Sequence, residues 1–314
     1  MSQILLIHRG GLGDFLMAWP SLLSIREHRC AERVFWGGPS SRMLWLRPLG
    51  MEPCPQAMRR GVEALFGRED WPEELEGVQI YWFVLGSRPP VPEHPQLKVL
   101  YGLPCPDTVT MVSPREAYAG QLRSLGINDN PAWLEIWRGH FGVPEKRRGA
   151  EYGEVLLLPG AGHPAKQWPL VQFFELAAWL QRQGHKVRFI LGPAERERGM
   201  TVQDFPTVFP DSLDMLQDVL QGARLVVGND SGPMHLAGML GVPGLALFGP
   251  ASEAQWRPQG LQTIALDLIC RPCTQTGRIH CPDARCLREI PQAMVREIAS
   301  KLLAACFCKG DRGA

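Results

Sequence analysis

Ile4-Leu5-Leu6-Ile7-His8-Arg9-Gly10-Gly11-Leu12-Gly13-Asp14 runs from an unbroken aliphatic stretch into a glycine-rich turn. A continuous apolar run of this length reads as a strand buried on both faces of a sheet. From Phe15 to about His28 the apolar residues Phe15, Leu16, Trp19, Leu22, Leu23 and Ile25 recur at helical spacing. Arg33 to Trp36 reads as a second strand, closed by Gly37-Gly38-Pro39. Strand, turn, helix, strand is the start of a βαβ unit, and such units build parallel sheets.

The alternation restarts in the second half. Glu154–Leu158 reads as a strand and Pro159-Gly160-Ala161-Gly162 as a turn. Leu170–Arg182 reads as an amphipathic helix stopped by Gly184, and Val187–Leu191 as a strand. A helix over Ser212–Leu220 with Asp211 as its N-cap follows. Then come a strand at Leu225–Val227, a helix at Pro233–Leu240, a strand at Gly244–Phe248 and a C-terminal helix at Ala293–Cys306. Between these blocks the chain is proline-rich, with Pro89-Pro90, Pro92 and Pro95 close together. Within it, Gln79–Leu85 reads as a strand, and Ser113–Leu125 as a helix with Pro114 at its first position. The charged stretch Lys146-Arg147-Arg148-Gly149 places a boundary near 150. The expectation is an α/β protein of two doubly wound domains, 1–150 and 151–314, which fits a length of 314 residues at roughly 150 per domain.

Composition narrows the function. Hydrophobic residues at 45% and charged residues at 21% exclude a disordered chain. A net charge of +1 gives no bulk attraction to nucleic acid, so no nucleic-acid partner is expected. No apolar run reaches the ~18–20 residues that span a bilayer, and the N-terminal one is too short for a signal-peptide core, so the expected compartment is the cytoplasm. Contact with an anionic membrane face at Arg59-Arg60 or Lys146-Arg147-Arg148 is one reading of those clusters; a solvated surface is the other.

Three loops carry candidate chemistry. In Gly10-Gly11-Leu12-Gly13-Asp14, a dinucleotide fingerprint would need a third glycine where Leu16 stands and an acid after the second strand, where Gly37-Gly38-Pro39-Ser40 stands. Neither is present. A carboxylate at Asp14 would repel a phosphate and is better suited to accept a proton, or simply to cap the helix; Gly11 and Gly13 let the loop line a cleft. The second loop, Pro159 to Pro169, places small residues, Ala161 and Gly162, and the cation of Lys166 at the carboxyl edge of a strand, where ligands bind in open α/β sheets. The third, Asn229-Asp230-Ser231-Gly232-Pro233-Met234-His235, opens a helix after a strand. Backbone N–H groups around Ser231 to Met234 would bind an anion there, and Asp230 could hold a sugar hydroxyl. Glu195 stands at a strand end and is a ribose candidate.

Nine cysteines include Cys270-x-x-Cys273-(x7)-Cys281-(x4)-Cys286. Readings of this cluster are a closed structural site for zinc, an iron–sulfur site, two disulfides or four thiols. Its neighbours Arg271, Arg278, Arg285 and Arg288 read as a solvated face or as a seat for an anionic partner. There is no D-x-D clamp for a metal–nucleotide complex, no P-loop and no G-x-S-x-G.

Taken in order, the three loops resemble glycosyltransferase family 9, the ADP-heptose:lipopolysaccharide heptosyltransferases. The segments that carry the resemblance are Ile4 to Asp14 with Pro20, Leu158-Pro159-Gly160-Ala161 with Lys166-Gln167-Trp168-Pro169, Asn229 to Ala237, Phe248-Gly249-Pro250, and the cysteine cluster ending in Leu287-Arg288. The resemblance covers most of the second half and about the first 50 residues. It implies a GT-B fold, two Rossmann-like domains facing a central cleft, and an inverting sugar transfer that requires no metal or other cofactor. The donor would be ADP-heptose and the acceptor lipopolysaccharide core or a related glycan. Matched by position, Asp14 falls on the general base, Lys166 on the phosphate-binding lysine, Asp230 on the sugar-contacting aspartate, and Ser231-Gly232 on the helix start that binds pyrophosphate.

Other functions of one fold remain to be weighed. These are a non-catalytic nucleotide-sugar sensor, a transferase using another nucleotide sugar or a protein acceptor, and a non-hydrolysing epimerase. A carboxylate at Asp14 favours catalysis, because a binder has no need of a base there.

Overall fold

The computed structural model describes residues 3–67, 70–103, 111–144, 153–273, 281 and 283–307. Packing divides the chain into two compact units, Met1–Leu134 and Glu135–Ala314. The expected boundary near 150, and with it Lys146-Arg147-Arg148, lies outside the described residues, as does Arg278.

The first unit contains β1 (Gln3–His8), α1 (Leu12–His28), β2 (Arg33–Trp36), β3 (Glu52–Pro53), α2 (Gln56–Ala64), β4 (Val78–Val84), β5 (Leu97–Tyr101) and α3 (Pro114–Ser124); α4 (Trp133–Phe141) begins at its end. Its strands form a parallel sheet in the order β3-β2-β1-β4-β5. The chain therefore winds outward from β1 in one direction and then, from β4, in the other. The carboxyl end of β1 lies at that reversal, the place where open α/β sheets leave a crevice for ligands. Ile4 to Ile7 are fully buried, as the unbroken apolar run requires. The helix α1 is buried along its whole middle, from Phe15 to Ile25, and is covered on all sides rather than on one stripe. It starts at Leu12, three residues before its apolar pattern, because Gly11 and Asp14 form its N-terminal cap. At α3 the sequence signals hold: Ser113 accepts from the Glu116 N–H at 3.3 Å, with Pro114 in the first turn.

The second unit contains β6 (Glu154–Leu158), α5 (Leu170–Arg182), β7 (Val187–Ile190), α6 (Pro193–Glu197), β8 (Thr207–Val208), α7 (Leu213–Gln221), β9 (Ala223–Asn229), α8 (Gly232–Leu240), β10 (Gly244–Phe248), α9 (Glu253–Trp256), β11 (Gln262–Ala265), α10 (Arg285–Arg288) and α11 (Gln292–Phe307). Its parallel sheet has the order β11-β10-β9-β6-β7-β8, so β6 and β9 flank the reversal. Val155, Leu157, Leu225, Val227, Leu245 and Leu247 from the sheet pack with Phe173, Leu176 and Leu180 of α5 and Val295 and Ala299 of α11. Full burial of each large aliphatic or aromatic side chain contributes roughly 1.5–3 kcal/mol. The N-cap of α7 is Ser212, which accepts from the Met215 N–H at 3.2 Å, and not Asp211, which stands one residue too early. Among the described residues no helix is long and apolar enough to cross a membrane.

Candidate functional site

Each unit carries candidate residues on the loops at its sheet reversal. In the first unit, β1 ends at His8 and the chain turns through Gly10 and Gly11 into α1. The half-buried Asp14 accepts from the Gly11 N–H at 3.1 Å through Oδ2, so it caps the helix. Capping leaves Asp14 at the loop surface rather than in the core. Its charge reaches Tyr118, which donates to the Val84 carbonyl at 2.9 Å; burial first, and then Asp14, push the phenol upward. Gly13 is the second residue of α1, and Gly11 is its cap.

His8 lies under this loop, 2% exposed, with Nδ1 lacking a partner. Burial, and then the Arg42 guanidinium, hold its pKa down at about 4, so the ring is neutral near pH 7. Arg42 is itself only 9% exposed, stands over the Phe15 ring at 5.5 Å and has a buried Nε without a partner. Burial holds its pKa below the usual range. An unpaired buried cation costs several kcal/mol, and an aromatic face returns only about 1–2 kcal/mol. Neither His8 nor Arg42 was singled out by sequence. Only the fold puts them together, since Arg42 follows β2 in a short 3-10 turn over Ser40–Trp45.

Space in this loop is tight. A Cβ on Gly10 would lie 2.8 Å from His8 Cε1 and 3.0 Å from Asp14 Oδ2. Gly10→Ala is therefore expected to displace Asp14 or His8. The predicted outcome is a folded protein with normal circular dichroism and a turnover at least tenfold lower. Unchanged turnover would show that the loop relaxes freely.

The neutral His8 also sets a pH dependence. Its folded pKa of about 4 is below the unfolded value of 6.5, so between these values the unfolded chain binds more protons. The stabilisation is complete above about pH 6.5 and is lost as pH falls toward 4. Some 2–3 pKa units correspond to about 3 kcal/mol. Urea midpoints measured from pH 7.5 to 4.5 should fall steeply for the wild type and less for His8→Gln.

Farther along the same unit, Arg9 lies over Phe66 and Trp82 at 5.5 and 5.3 Å. Phe66 belongs to an open pocket of about 640 Å³, lined also by Leu65, Gly67 and Arg88 through Pro92. Arg59 and Arg60 are exposed on α2.

In the second unit, adjacency of β6 and β9 brings the second and third loops together. Asn229, fully buried, accepts from the Trp168 N–H at 2.9 Å and donates to the Pro159 carbonyl at 2.7 Å. It thus fastens both ends of the Pro159–Trp168 loop to the end of β9. Removing such a buried partner costs about 1–3 kcal/mol. Lys166, which closes a short 3-10 turn, then meets Asp230: Nζ lies 3.0 Å from Oδ2. His235 Nε2 is 3.9 Å from the other carboxylate oxygen. Their side chains are 21%, 8% and 5% exposed, so this is a mostly dry cluster.

Ser231 caps α8, and its Oγ is buried without a partner. The expected row of N–H donors is shorter than the sequence suggested. Pro233 has none, and the Met234 and His235 N–H groups turn back to the Ser231 carbonyl. The donors left in this first turn are the Ser231 and Gly232 N–H groups and the Ser231 hydroxyl. Glu195 caps α6 by accepting from the Gly192 N–H at 3.0 Å, and its carboxylate presses on Gly160, where a Cβ would lie 2.3 Å from Oε1. Arg198 donates to the carbonyls of Ala161 and Gly162 at 2.8 and 3.2 Å, which braces the same loop from α6. The structure therefore gathers Ala161, Gly162, Lys166, Glu195, Asp230, Ser231 and Gly232 at one sheet edge. Asn229 and Arg198 are additional residues of the site. Asn229 stands at the head of the third loop in the sequence, but its partners Pro159 and Trp168 are set by the pairing of β6 and β9.

At the cysteine cluster, burial and then the neighbouring thiols push Cys273 upward; Cys286 is raised the same way, against the pull of Arg271. Cys270, Cys273, Cys281 and Cys286 are free thiols. Among the described residues no group of three or more His, Cys, Asp or Glu is arranged to hold a metal. Arg271 is half-buried and donates to the carbonyls of Gly249, Leu266 and Ala251. Arg285 pairs with Glu289 at 2.7 Å, and Arg288 lies 4.0 Å from Asp283.

Residues 138–285 match the model of glycosyltransferase family 9 (heptosyltransferase). Across 93% of this chain and 95% of the relative, the sequence is 28% identical to lipooligosaccharide heptosyltransferase 2 of Campylobacter jejuni. A family 9 glycosyl transferase of Veillonella parvula superposes with a TM-score of 0.68 at 18% identity, covering 97% of this chain and 98% of that one. The ADP-heptose lps heptosyltransferase II of E. coli superposes at 0.64 and 19% identity, covering 96% and 99%. Two parallel Rossmann-like sheets and these matches define a glycosyltransferase of the GT-B class. Over residues 138–285 the chain is similar to glycosyltransferase family 9.

Proposed function

We propose that the protein transfers a heptose from ADP-heptose to a hydroxyl of lipopolysaccharide core or a related glycan, with inversion, and with Asp14 as general base. The observation that carries this reading is the Lys166–Asp230 contact of 3.0 Å beside the start of α8. It puts a cation, helix N–H donors and a sugar-binding carboxylate at one sheet edge. The names of the relatives, a lipooligosaccharide heptosyltransferase and an ADP-heptose lps heptosyltransferase, supply the donor and the acceptor class.

The chemistry divides between the two sets of residues. An acceptor hydroxyl ionises far above neutral pH, so a carboxylate helps most by taking its proton as the new bond forms. Asp14 does this from the α1 cap. The bond between the heptose anomeric carbon and the β-phosphate oxygen breaks, and ADP leaves with an added negative charge. Lys166, the Gly232 N–H and the Ser231 hydroxyl stabilise that charge, so the diphosphate is neutralised by the chain itself. Asp230 accepts from heptose hydroxyls, and Glu195 is placed for the ribose, beside Gly160. No step is assigned to the cysteine cluster.

The test is calorimetric binding of ADP-heptose and turnover with a truncated lipopolysaccharide core. Micromolar donor binding together with release of ADP only when acceptor is present is the expected result. Donor binding without turnover on any core acceptor would favour a sensor, and absence of donor binding would overturn the choice of sugar nucleotide.

A further inference from the structure

Arg198 closes α6, three residues after Glu195, and is exposed. Its guanidinium is committed to backbone: Nη1 donates to the Ala161 carbonyl at 2.8 Å and Nη2 to the Gly162 carbonyl at 3.2 Å. A planar fork that holds two successive carbonyls fixes the rotation of two peptide groups. Both of those peptides are trans, and in a trans peptide the N–H points opposite to the C=O. The carbonyls of Ala161 and Gly162 face Arg198, so the N–H groups of Gly162 and His163 face away from it.

Farther along the loop the N–H groups are used within the chain. Ala165 donates to His163 Nδ1 at 3.1 Å, Lys166 to the His163 carbonyl at 2.9 Å, Gln167 to the Pro164 carbonyl at 3.0 Å and Trp168 to Asn229 at 2.9 Å. Among the described residues the Gly162 and His163 N–H groups have no acceptor. The space beside them is open. Gly162 is exposed, and nothing lies within 4 Å of the point its Cβ would occupy. Two successive N–H groups turned to one side form a seat for an anion. Lys166, the cation of the same loop, follows three residues after His163.

We infer that Arg198 is a positioning residue for the donor diphosphate: it aims the Gly162 and His163 N–H groups at a phosphate oxygen without touching the ligand itself. This rests on the donor-side role given above to Lys166 and Ser231. Preorganised donors of this kind lose no orientation when the anion arrives. The same turn of α6 carries Glu195, which packs on Gly160. One short element therefore sets the nucleoside and the diphosphate relative to each other.

The experiment measures calorimetric binding of adenosine, ADP and inorganic pyrophosphate to wild type, Arg198→Ala and Arg198→Lys. In Arg198→Ala the Kd for ADP and for pyrophosphate should rise by about tenfold or more, as expected for one or two net hydrogen bonds. The Kd for adenosine should stay within about twofold, because the base and ribose make no use of the two N–H groups. Arg198→Lys should recover part of the loss, since an ammonium can still hold one carbonyl but lacks the fork. Equal weakening of adenosine and ADP would mean that Arg198 merely keeps α6 in place, and would overturn the proposal. Unchanged ADP binding in Arg198→Ala would do the same. Should Arg198→Ala melt well below the wild type, Arg198→Lys decides: a loss confined to the phosphate-bearing ligands supports the proposal, and a uniform loss or none overturns it.

Failure of the transferase reading looks different. A wild type that binds UDP or GDP in place of ADP, with the same dependence on Arg198, would overturn the choice of donor and support the positioning role. A wild type that binds ADP with no dependence on Arg198 would leave the donor standing and end the positioning role. Absence of binding to every nucleoside diphosphate and to pyrophosphate would overturn both.

Discussion

Asp14→Asn should lower kcat by about 100- to 10,000-fold, the range a positioned general base supplies, while ADP-heptose still binds. The substitution is chosen for what it keeps. An asparagine side-chain oxygen still accepts from the Gly11 N–H, as Asp14 does at 3.1 Å, so the start of α1 is preserved. The melting temperature should therefore change little, and the loss would lie in proton acceptance. Stopped-assay kinetics with core acceptor, beside calorimetry with donor, measure the two quantities separately. A variant that turns over at the wild-type rate would reduce Asp14 to a helix cap.

Lys166→Ala should act on the departing ADP. Removing one preorganised donor to a developing anion costs about 100- to 1,000-fold in kcat, and here the donor is a full charge. The variant also leaves Asp230, 8% exposed, without its partner at 3.0 Å. An orphaned buried carboxylate destabilises by a few kcal/mol when fully enclosed; since Lys166 is 21% exposed, water compensates part of this. The double variant Lys166→Ala, Asp230→Asn distinguishes the effects. Urea denaturation should show stability restored, and turnover should remain lost. Recovery of both would mean that the ion pair serves only the fold.

What could be read from sequence follows from how local each signal is. The unbroken run Ile4–Ile7 and the glycine turn after it announce a central strand and its loop, and Ser113-Pro114 announces a helix start. All three depend on residues within a few positions of one another. Leu97–Tyr101 gives no such signal. It follows a proline cluster, pairs only with β4 and lies at the sheet edge, so its burial is partial and its pattern weak. The two-residue strands β3 and β8 also lie at edges, and are too short for any periodicity.

The site divides in the same way. Asp14, Lys166 and Asp230 each stand in a loop whose composition marks it, and position on a strand end suggests a role. Their partners are matters of topology. Asn229 acts on Pro159 and Trp168 because β6 and β9 are neighbours, a pairing across some seventy residues of chain. Arg42 meets His8 because the turn after β2 folds back over β1. Arg271 stands among arginines in the sequence, and its carbonyl partners are set by the fold.

The pocket beside Phe66 has one wall built from Pro89, Pro90 and Pro92. Proline rings fix the backbone before anything arrives, so little chain freedom is left to surrender on contact. A molecule entering there meets a template rather than a glove. A ligand at this wall would therefore give up less backbone entropy than one that orders a flexible loop around itself.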